Sequence, residues 1–268
     1  ENSTAMGQST TASGFSSTAM GGNTTASGNR STAIGGDGTI ASGEFSLATG
    51  QSTSASGFSS TAMGRYTTAS GDFGSFAAGS QTTASANAAI AMGSGGTASG
   101  LASVALGGSV SATNEYAIAL GSGGTTASGH SSFAVGSNAI ALGNVSRSMG
   151  YNTTAESRSE TVIGEFNTNY TPLGGVQNWN AADRLFVIGN GTGSSAKSDA
   201  LVILKNGNTT LTGLLTLSDG SSSITLPNTD GQNGQVLSTD GSGDVSWANA
   251  ATSLTDLSDA KKLSNSLF

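Results

Sequence analysis

The first 28 residues, ENSTAMG-QSTTASG-FSSTAMG-GNTTASG, repeat a unit of seven residues that ends in glycine. Such units continue as far as RSETVIG, which ends at Gly164, and residues 1–164 contain 23 units, nearly all of which end in glycine. Two kinds of unit alternate: one ends in Ala-apolar-Gly, as in AMG (5–7), and the other in Ala-Ser-Gly, as in ASG (12–14). The complete repeat is therefore about 14 residues long, which predicts a solenoid with two short strands in each coil.

Three of the units contain eight residues instead of seven, at 36–43, 72–79 and 122–129. Each has its extra residue close to a glycine, where a turn or bulge can absorb it without breaking the repeat. A period of seven also raises the possibility of a coiled coil. The many Gly, Ser and Thr residues oppose a helix by roughly 0.5–1 kcal/mol each. The first half of the chain also lacks the Leu and Ile pairs of a heptad seam.

Side chains alternate between the two faces of a strand, so in STAMG (3–7) the serine, alanine and glycine share one face. The alanine two residues before each closing glycine is the most uniform feature of the repeat, and only Ser148 and Val162 interrupt it. Uniformly small residues predict that this face forms the inside of a thin roll. The opposite arrangement, with alanine outside and the larger apolar residues inside, is the alternative.

The face opposite the alanines differs between the two strands of a coil. On one strand it is polar, as in Thr25/Ser27 and Thr68/Ser70, and on the other it is apolar. A monomer seldom exposes a long contiguous apolar stripe, so we expect this surface to be covered by other copies of the chain. The residues that we predict to form this interface are Ile90, Met92, Val104, Leu106, Ile118, Leu120, Val135, Ile140 and Leu142.

Several of these units, STAIG (31–35), SVALG (103–107), YAIALG (116–121) and NAIALG (138–143), resemble the head repeats of YadA-like trimeric autotransporter adhesins. The resemblance covers roughly residues 1–164. It implies an all-β fold, a left-handed parallel β-roll, in which three identical chains pack around a threefold axis. It also implies attachment to a protein or glycan ligand on a host or other surface. The first half departs from the family pattern, because it has Thr before Ala where the family often has Val.

Aromatic and arginine side chains at the start of units form a second candidate site. Turns are expected there, and exposed aromatic and Arg side chains on a repeated scaffold are good ligand contacts. The alternative is that they fill the corners of the roll or pack between chains. The candidates are Phe15, Arg30, Phe45, Phe58, Arg65, Tyr66, Tyr116 and Tyr151.

Composition argues against several other classes of function. The chain has 16 acidic and 9 basic residues and no basic stripe, so nucleic acid is not expected as a partner. No apolar run approaches the ~18 residues of a membrane span. With one His and no Cys, a zinc site or thiol nucleophile cannot be assembled within one chain. We therefore expect no catalytic residues, no metal and no cofactor, and a protein that is not an enzyme.

The remaining sequence predicts three further segments. Residues 165–189 are expected to form a loop insertion and a returning strand, 190–250 a β-rich connector, and 251–268 a linker or the start of a neck. The connector resembles modules of bacterial surface fibres and phage tail fibres. Its DGSGD stretch (240–244) has the spacing of a calcium loop, but a hairpin turn is favoured because no acidic residue follows at the required offset.

Three functions are compatible with these features. An extracellular adhesin head on a bacterial surface is favoured, and the receptor-binding fibre of a phage or contractile-injection tail is the alternative. An ice-binding solenoid is a third class, because the Thr-x-Ser ladder would repeat at the spacing of adjacent strands, about 4.8 Å. The chain begins at Glu1 without a signal peptide, so we interpret it as a mature form or an excised piece.

Overall fold

The computed structural model describes residues 2–218, 220–242 and 244–251, and these residues contain strands and turns but no helix. They divide into two compact units, Glu1–Thr210 and Leu211–Phe268. The first unit contains the predicted roll. The predicted linker or neck at 251–268 lies outside the described residues, apart from residue 251.

One strand of every coil belongs to a 15-stranded sheet, referred to below as the first sheet. The odd-numbered strands from β1 to β23 are parallel, and each pairs with the equivalent strand of the next coil. The strands are β1 (Thr4–Gln8), β3 (Thr18–Gly22), β5 (Thr32–Gly36), β7 (Leu47–Gln51), β9 (Thr61–Arg65), β11 (Phe76–Ser80), β13 (Ile90–Ser94), β15 (Val104–Gly108), β17 (Ile118–Ser122), β19 (Phe133–Ser137), β21 (Arg147–Tyr151), β23 (Thr161–Glu165), β24 (Arg184–Asn190), β25 (Asp199–Leu204) and β26 (Thr209–Leu211).

The other strand of each coil belongs to an 11-stranded parallel sheet, the second sheet. Its strands are short because each is flanked by the tight turns of the roll. They are β2 (Thr11–Ala12), β4 (Thr24–Ala26), β6 (Thr39–Ala41), β8 (Ser54–Ala55), β10 (Thr68–Ala69), β12 (Thr83–Ala84), β14 (Thr97–Ala98), β16 (Ser111–Ala112), β18 (Thr126–Ala127), β20 (Ile140–Ala141) and β22 (Thr154–Ala155). The predicted parallel solenoid of about 14-residue coils is thus confirmed, with about 12 turns.

The eight-residue units lengthen three coils to 15 residues without changing the sheet register. Thr32, for example, pairs with Leu47, 15 residues later, whereas most partners are 14 apart. The turns of these longer coils contain Gly38, Gly74 and Gly124, whose φ angles of 83°, 84° and 91° are left-handed. Glycine adopts such angles without a steric penalty, so the extra residue is absorbed in the turn as the sequence predicted.

Alanine fills the inside of the roll. The alanines of both sheets are fully buried from Ala19 to Ala155, and Ser148 and Val162, which replace alanine, are fully buried too. A second inward column of Ser and Thr hydroxyls, such as Ser17 and Thr24, lies beside them. The prediction that alanine marks the interior is therefore confirmed, and the reverse arrangement was wrong. The small interior leaves the larger apolar side chains outside.

The structure corrects one part of the predicted apolar ladder. Ile140 belongs to β20 of the second sheet, where its partners are Thr126 and Thr154, and Leu142 directly follows this strand. The two residues therefore do not share a sheet with Ile118 and Leu120. The prediction was wrong here because apolar units follow one another after residue 128. The chain continues to alternate between sheets regardless of side-chain class.

The roll ends in a segment that leaves it and returns. After β23 the chain forms a loop, and β24 then pairs with β23 in parallel, with Phe186 opposite Thr161. Strand β25 adds to β24 in the antiparallel direction, and β26 follows it in the sheet order. The compact unit that contains the roll thus extends to Thr210, whereas the sequence placed the start of the connector at residue 190.

The second compact unit contains two antiparallel hairpins. One joins β27 (Leu215–Ser218) to β28 (Ser223–Leu226), and the other joins β29 (Gln235–Thr239) to β30 (Val245–Asn249). In the second hairpin, Asp240 Oδ1 accepts hydrogen bonds from the amides of Ser242 and Asp244, at 2.8 and 3.2 Å. The strands on the two sides of the DGSGD stretch therefore pair as the predicted hairpin, with Thr239 opposite Val245.

Candidate functional site

The outward face of the first sheet is the most extensive apolar surface of the roll. From β13 to β19 each strand contributes two outward apolar residues in register, for example Ile90 opposite Val104 and Met92 opposite Leu106. These residues are half-buried or exposed in the single chain, and Met92 is 41% exposed. The seven predicted interface residues of this sheet lie together here, namely Ile90, Met92, Val104, Leu106, Ile118, Leu120 and Val135.

Towards the first coils the same face becomes more polar. Threonines such as Thr18 and Thr32 take the first outward position, while the second position keeps apolar residues such as Met20 and Ile34. An apolar column therefore continues on this face almost to the first coil, with Thr49 as an interruption. A face of this extent is typical of a protein-protein interface.

The outward face of the second sheet is mostly polar. Threonine and serine dominate it, as in the pairing of Thr11 with Thr25 and of Thr83 with Thr97. Ile40 and Ile140 interrupt this column. The regular threonine array that an ice-binding surface needs is therefore broken.

The turns that follow the second-sheet strands form one edge of the roll, and aromatic side chains stack along it. Phe45 and Phe58 contact each other edge to face, with ring centroids 5.6 Å apart, and Phe58 and Phe73 lie 6.4 Å apart. The Arg30 guanidinium lies 6.0 Å from the Phe15 ring and 5.1 Å from the Phe45 ring. These five residues, the aromatic edge, come from five consecutive coils and all remain exposed.

Side-chain hydrogen bonds between successive coils fix the backbone of the aromatic edge. Asn29 Oδ1 accepts the amide of Phe15 at 3.1 Å, and Asp72 Oδ1 accepts the amide of Phe58 at 2.8 Å. Glu44 contributes a further contact, 3.4 Å from the Arg30 guanidinium. The rings are therefore displayed on an ordered backbone with hydrogen-bonding groups beside them.

The structure separates the predicted ligand-facing residues into two groups. Phe15, Arg30, Phe45 and Phe58 belong to the aromatic edge, and Tyr116 lies farther along the same edge, 5.8 Å from the His130 ring. The other three lie on the opposite edge, namely Arg65, Tyr66 and Tyr151. There the Arg65 guanidinium covers the Tyr66 ring at 4.7 Å, and Tyr151 contacts Phe166 at 5.1 Å. The two groups cannot form one surface.

A buried charged cluster, which the sequence analysis did not identify, lies where the roll ends. It comprises Glu160, Asp183, Arg184, Asp199 and Lys205. Arg184 Nη2 is 3.3 Å from Asp199 Oδ2, and Lys205 Nζ is 4.0 Å from Asp183 Oδ2. Thr168 donates its hydroxyl to Asp199 Oδ2 and its amide to Asp199 Oδ1. These contacts tie the segment after β23 to β24 and β25.

Glu160 occupies the inward position that serine or alanine takes in the other coils, and it is fully buried. Its Oε2 accepts the amides of Glu156 and Ser157, both at 2.8 Å, while Oε1 has no hydrogen-bond partner among the described residues. Burial raises the pKa of this carboxyl to about 7, against the lowering effect of the two amides. A charged residue in an inward column was the available sequence signal for the cluster.

Two kinds of feature are absent from the residues that the structure describes. No helix in this part of the chain is long and apolar enough to cross a membrane. The same residues contain no group of three or more His, Cys, Asp or Glu side chains arranged to hold a metal ion.

Comparison with known families identifies the repeat. The model of the YadA head domain repeat matches residues 1–14, 12–37, 55–77, 98–123 and 124–146, all of which lie within the roll. No curated protein matches the chain. The matched segments have the coil length, the two parallel sheets and the alanine interior described above. The solenoid of this chain is therefore a YadA-like head, built from YadA head repeats.

Proposed function

We propose that this chain is the head of a trimeric surface adhesin, in which three copies pack through the first-sheet face and attach to a ligand on another surface. The observation that carries the proposal is the outward apolar face of a solenoid made of YadA head repeats. YadA-like adhesins are displayed on bacterial surfaces, which supports an extracellular location for this head.

The composition of the interior explains why association is needed. The inside of the roll is made of alanine, serine and threonine, whose burial contributes little apolar area per residue. The larger apolar side chains, such as Leu106, Leu120 and Val135, face outward instead. Burying them between chains removes them from water and supplies the stability that the interior lacks.

We assign attachment to the aromatic edge. Exposed aromatic rings with an arginine and carboxylates beside them present apolar faces and hydrogen-bonding groups together, and both protein and glycan ligands use such surfaces. Phe45 and Phe58 are 45% and 41% exposed although they contact each other. Their exposure argues against a role in filling the corner of the roll.

A binding assay with two matched variants tests this function. Purified protein would be immobilised and presented with a panel of extracellular-matrix proteins and glycans. We expect the wild type to retain at least one member, and the double variant Phe45→Ser/Phe58→Ser to retain it at least tenfold less.

Tyr66→Ser is the control, because Tyr66 is exposed like Phe45 and has the same left-handed backbone, but lies on the opposite edge. It should bind as the wild type does. Equal binding by all three proteins would refute the assignment to the aromatic edge, and no binding to any member would count against the adhesin function.

A further inference from the structure

Asp183 and Lys205 lie next to each other across the last strand pair of the roll. Asp183 directly precedes β24 and Lys205 directly follows β25, and the Lys205 amide donates to the Asp183 carbonyl oxygen at 2.9 Å. Their side chains are almost entirely enclosed, with exposures of 0% for Lys205 and 1% for Asp183. An amine and a carboxyl group are thus held together away from water.

The Lys205 ammonium is poorly solvated for a buried charge. It can donate three hydrogen bonds, but among the described residues it donates one, to Ser157 Oγ at 3.1 Å. The nearest Asp183 oxygen, at 4.0 Å, is at the limit of an ion pair, and the Trp179 ring lies 5.1 Å from Nζ. Burial lowers the pKa of Lys205, while the nearby Asp183 and Glu160 charges raise it. Losing a proton therefore costs this amine less than it would in water.

Glu160 contacts the same serine as Lys205. Ser157 links it to Lys205, because the Ser157 amide donates to Glu160 Oε2 and the Ser157 hydroxyl accepts from Lys205 Nζ. The other oxygen, Oε1, is buried without a hydrogen-bond partner among the described residues. A carboxyl with a pKa near 7 can both accept and release a proton at neutral pH.

The Asp183 carboxyl is held as a target for a nucleophile. Its Oδ1 accepts the Leu173 amide at 2.7 Å, and its Oδ2 accepts the Gly174 amide at 3.0 Å. The Leu173 amide can stabilise the negative charge that develops on Oδ1 when the carbon is attacked, and the Gly174 amide fixes the position of Oδ2. The loop that supplies these donors also encloses the pair.

We propose that Lys205 and Asp183 join in an intramolecular amide bond. Nζ gives one proton to Asp183 Oδ2, which lies 4.0 Å away, so that a neutral amine faces a carboxylic acid. The Nζ lone pair attacks Cγ, and Nζ then releases a second proton to Oδ2. The Cγ–Oδ2 bond breaks and one water molecule leaves.

The bond would fasten β24 to β25 at the end of the roll. This strand pair extends the first sheet beyond β23, where the repeating coils end. A covalent cross-link there would stop the sheet from opening when the fibre is pulled. This role does not depend on the ligand or on the number of chains in the assembly.

Intact-mass spectrometry of the denatured full chain tests the bond directly. We expect the wild type to be lighter than its sequence by one water molecule, and a protease digest to contain one peptide pair that links Asp183 to Lys205. The variant Lys205→Met should have the full sequence mass. Lys205→Met retains the length of the side chain but has no amine.

Another dehydration, such as an aspartyl succinimide at the Asp230-Gly231 step, would also remove one water. It would persist in Lys205→Met and yield no linked peptides, so that result would overturn the proposal. A wild-type chain with the full sequence mass, after incubation at neutral pH, would overturn it too.

Discussion

At the scale of single residues, a strict constraint falls on the glycine at the fourth position of the first-sheet strands. Gly107 has a φ of 135°, and a Cβ added there would lie 1.8 Å from the carbonyl oxygen of Gly121 in the next coil. We expect Gly107→Ala to lower the free energy of unfolding by about 2 kcal/mol or more, because the new methyl group strains the backbone and separates two coils. Chemical denaturation at fixed protein concentration measures this loss.

Gly108→Ala is the control for this substitution, since an added Cβ at the neighbouring glycine has no atom within 4 Å. It should change the free energy of unfolding by less than about 0.5 kcal/mol. Equal losses for the two variants would show that the close approach of the coils does not set the requirement for glycine.

Glu160 should make stability depend on pH in the direction opposite to most carboxylates. Its pKa of about 7 in the folded chain exceeds the ordinary glutamate value of 4.5, so between these values the folded state binds more protons than the unfolded state. Stability should therefore fall as pH rises from about 5 to 8, by up to about 3 kcal/mol. Denaturant titrations at several pH values measure this slope.

Glu160→Gln removes the titrating group and keeps an oxygen that can accept the two amides. We expect its stability to be less dependent on pH than that of the wild type, and to exceed the wild-type value above pH 7. Parallel profiles for the two proteins would contradict the assignment of the slope to Glu160.

At the scale of the strand, sheet membership decides what an apolar residue does. Ile118 and Ile140 occupy equivalent outward positions on the first and second sheets. Ile118→Thr should weaken chain association, because it removes apolar area from the proposed interface. Ile140→Thr should leave association unchanged, because it restores the threonine column of the second sheet.

The dissociation constants of the two variants, from sedimentation equilibrium, check this prediction. A larger effect of Ile140→Thr than of Ile118→Thr would place the interface on the second sheet.

Much of the roll could be predicted from the sequence because each coil repeats the same local information. The spacing of the alanine column defined the interior, and the glycines near the eight-residue units located the longer turns. The position of Ile140 could not be predicted from its residue type, because the sheets are distinguished by strand order and not by side-chain class. The charged cluster was missed because Asp183 and Lys205 meet only when the chain returns after β23.

At the scale of the whole molecule, the proposed function depends on an interface that forms only between chains. Half-buried residues such as Val104, Leu106 and Leu120 have no partner on the outward side of the first sheet among the described residues. Three chains that share this face would bury it around a common axis. Stability and association should therefore be coupled.

A charge placed in the first-sheet face tests this coupling. Leu120→Asp would place three carboxylates close together in the trimer, at a cost of several kcal/mol per trimer, because buried unpaired carboxylates are strongly disfavoured. Ser70→Asp, on the outward side of the second sheet, should change stability by less than about 0.5 kcal/mol. Thermal unfolding of the two variants at equal concentration compares them, and a larger loss for Ser70→Asp would reverse the assignment of the faces.

The most direct test of the central claim is the molar mass of the wild-type protein in solution. Light scattering at micromolar concentration should give a mass of three chains, each of 26.0 kDa. The same measurement on Leu120→Asp should show dissociation or unfolding. A wild-type protein that is folded and monomeric under these conditions would contradict the trimeric head.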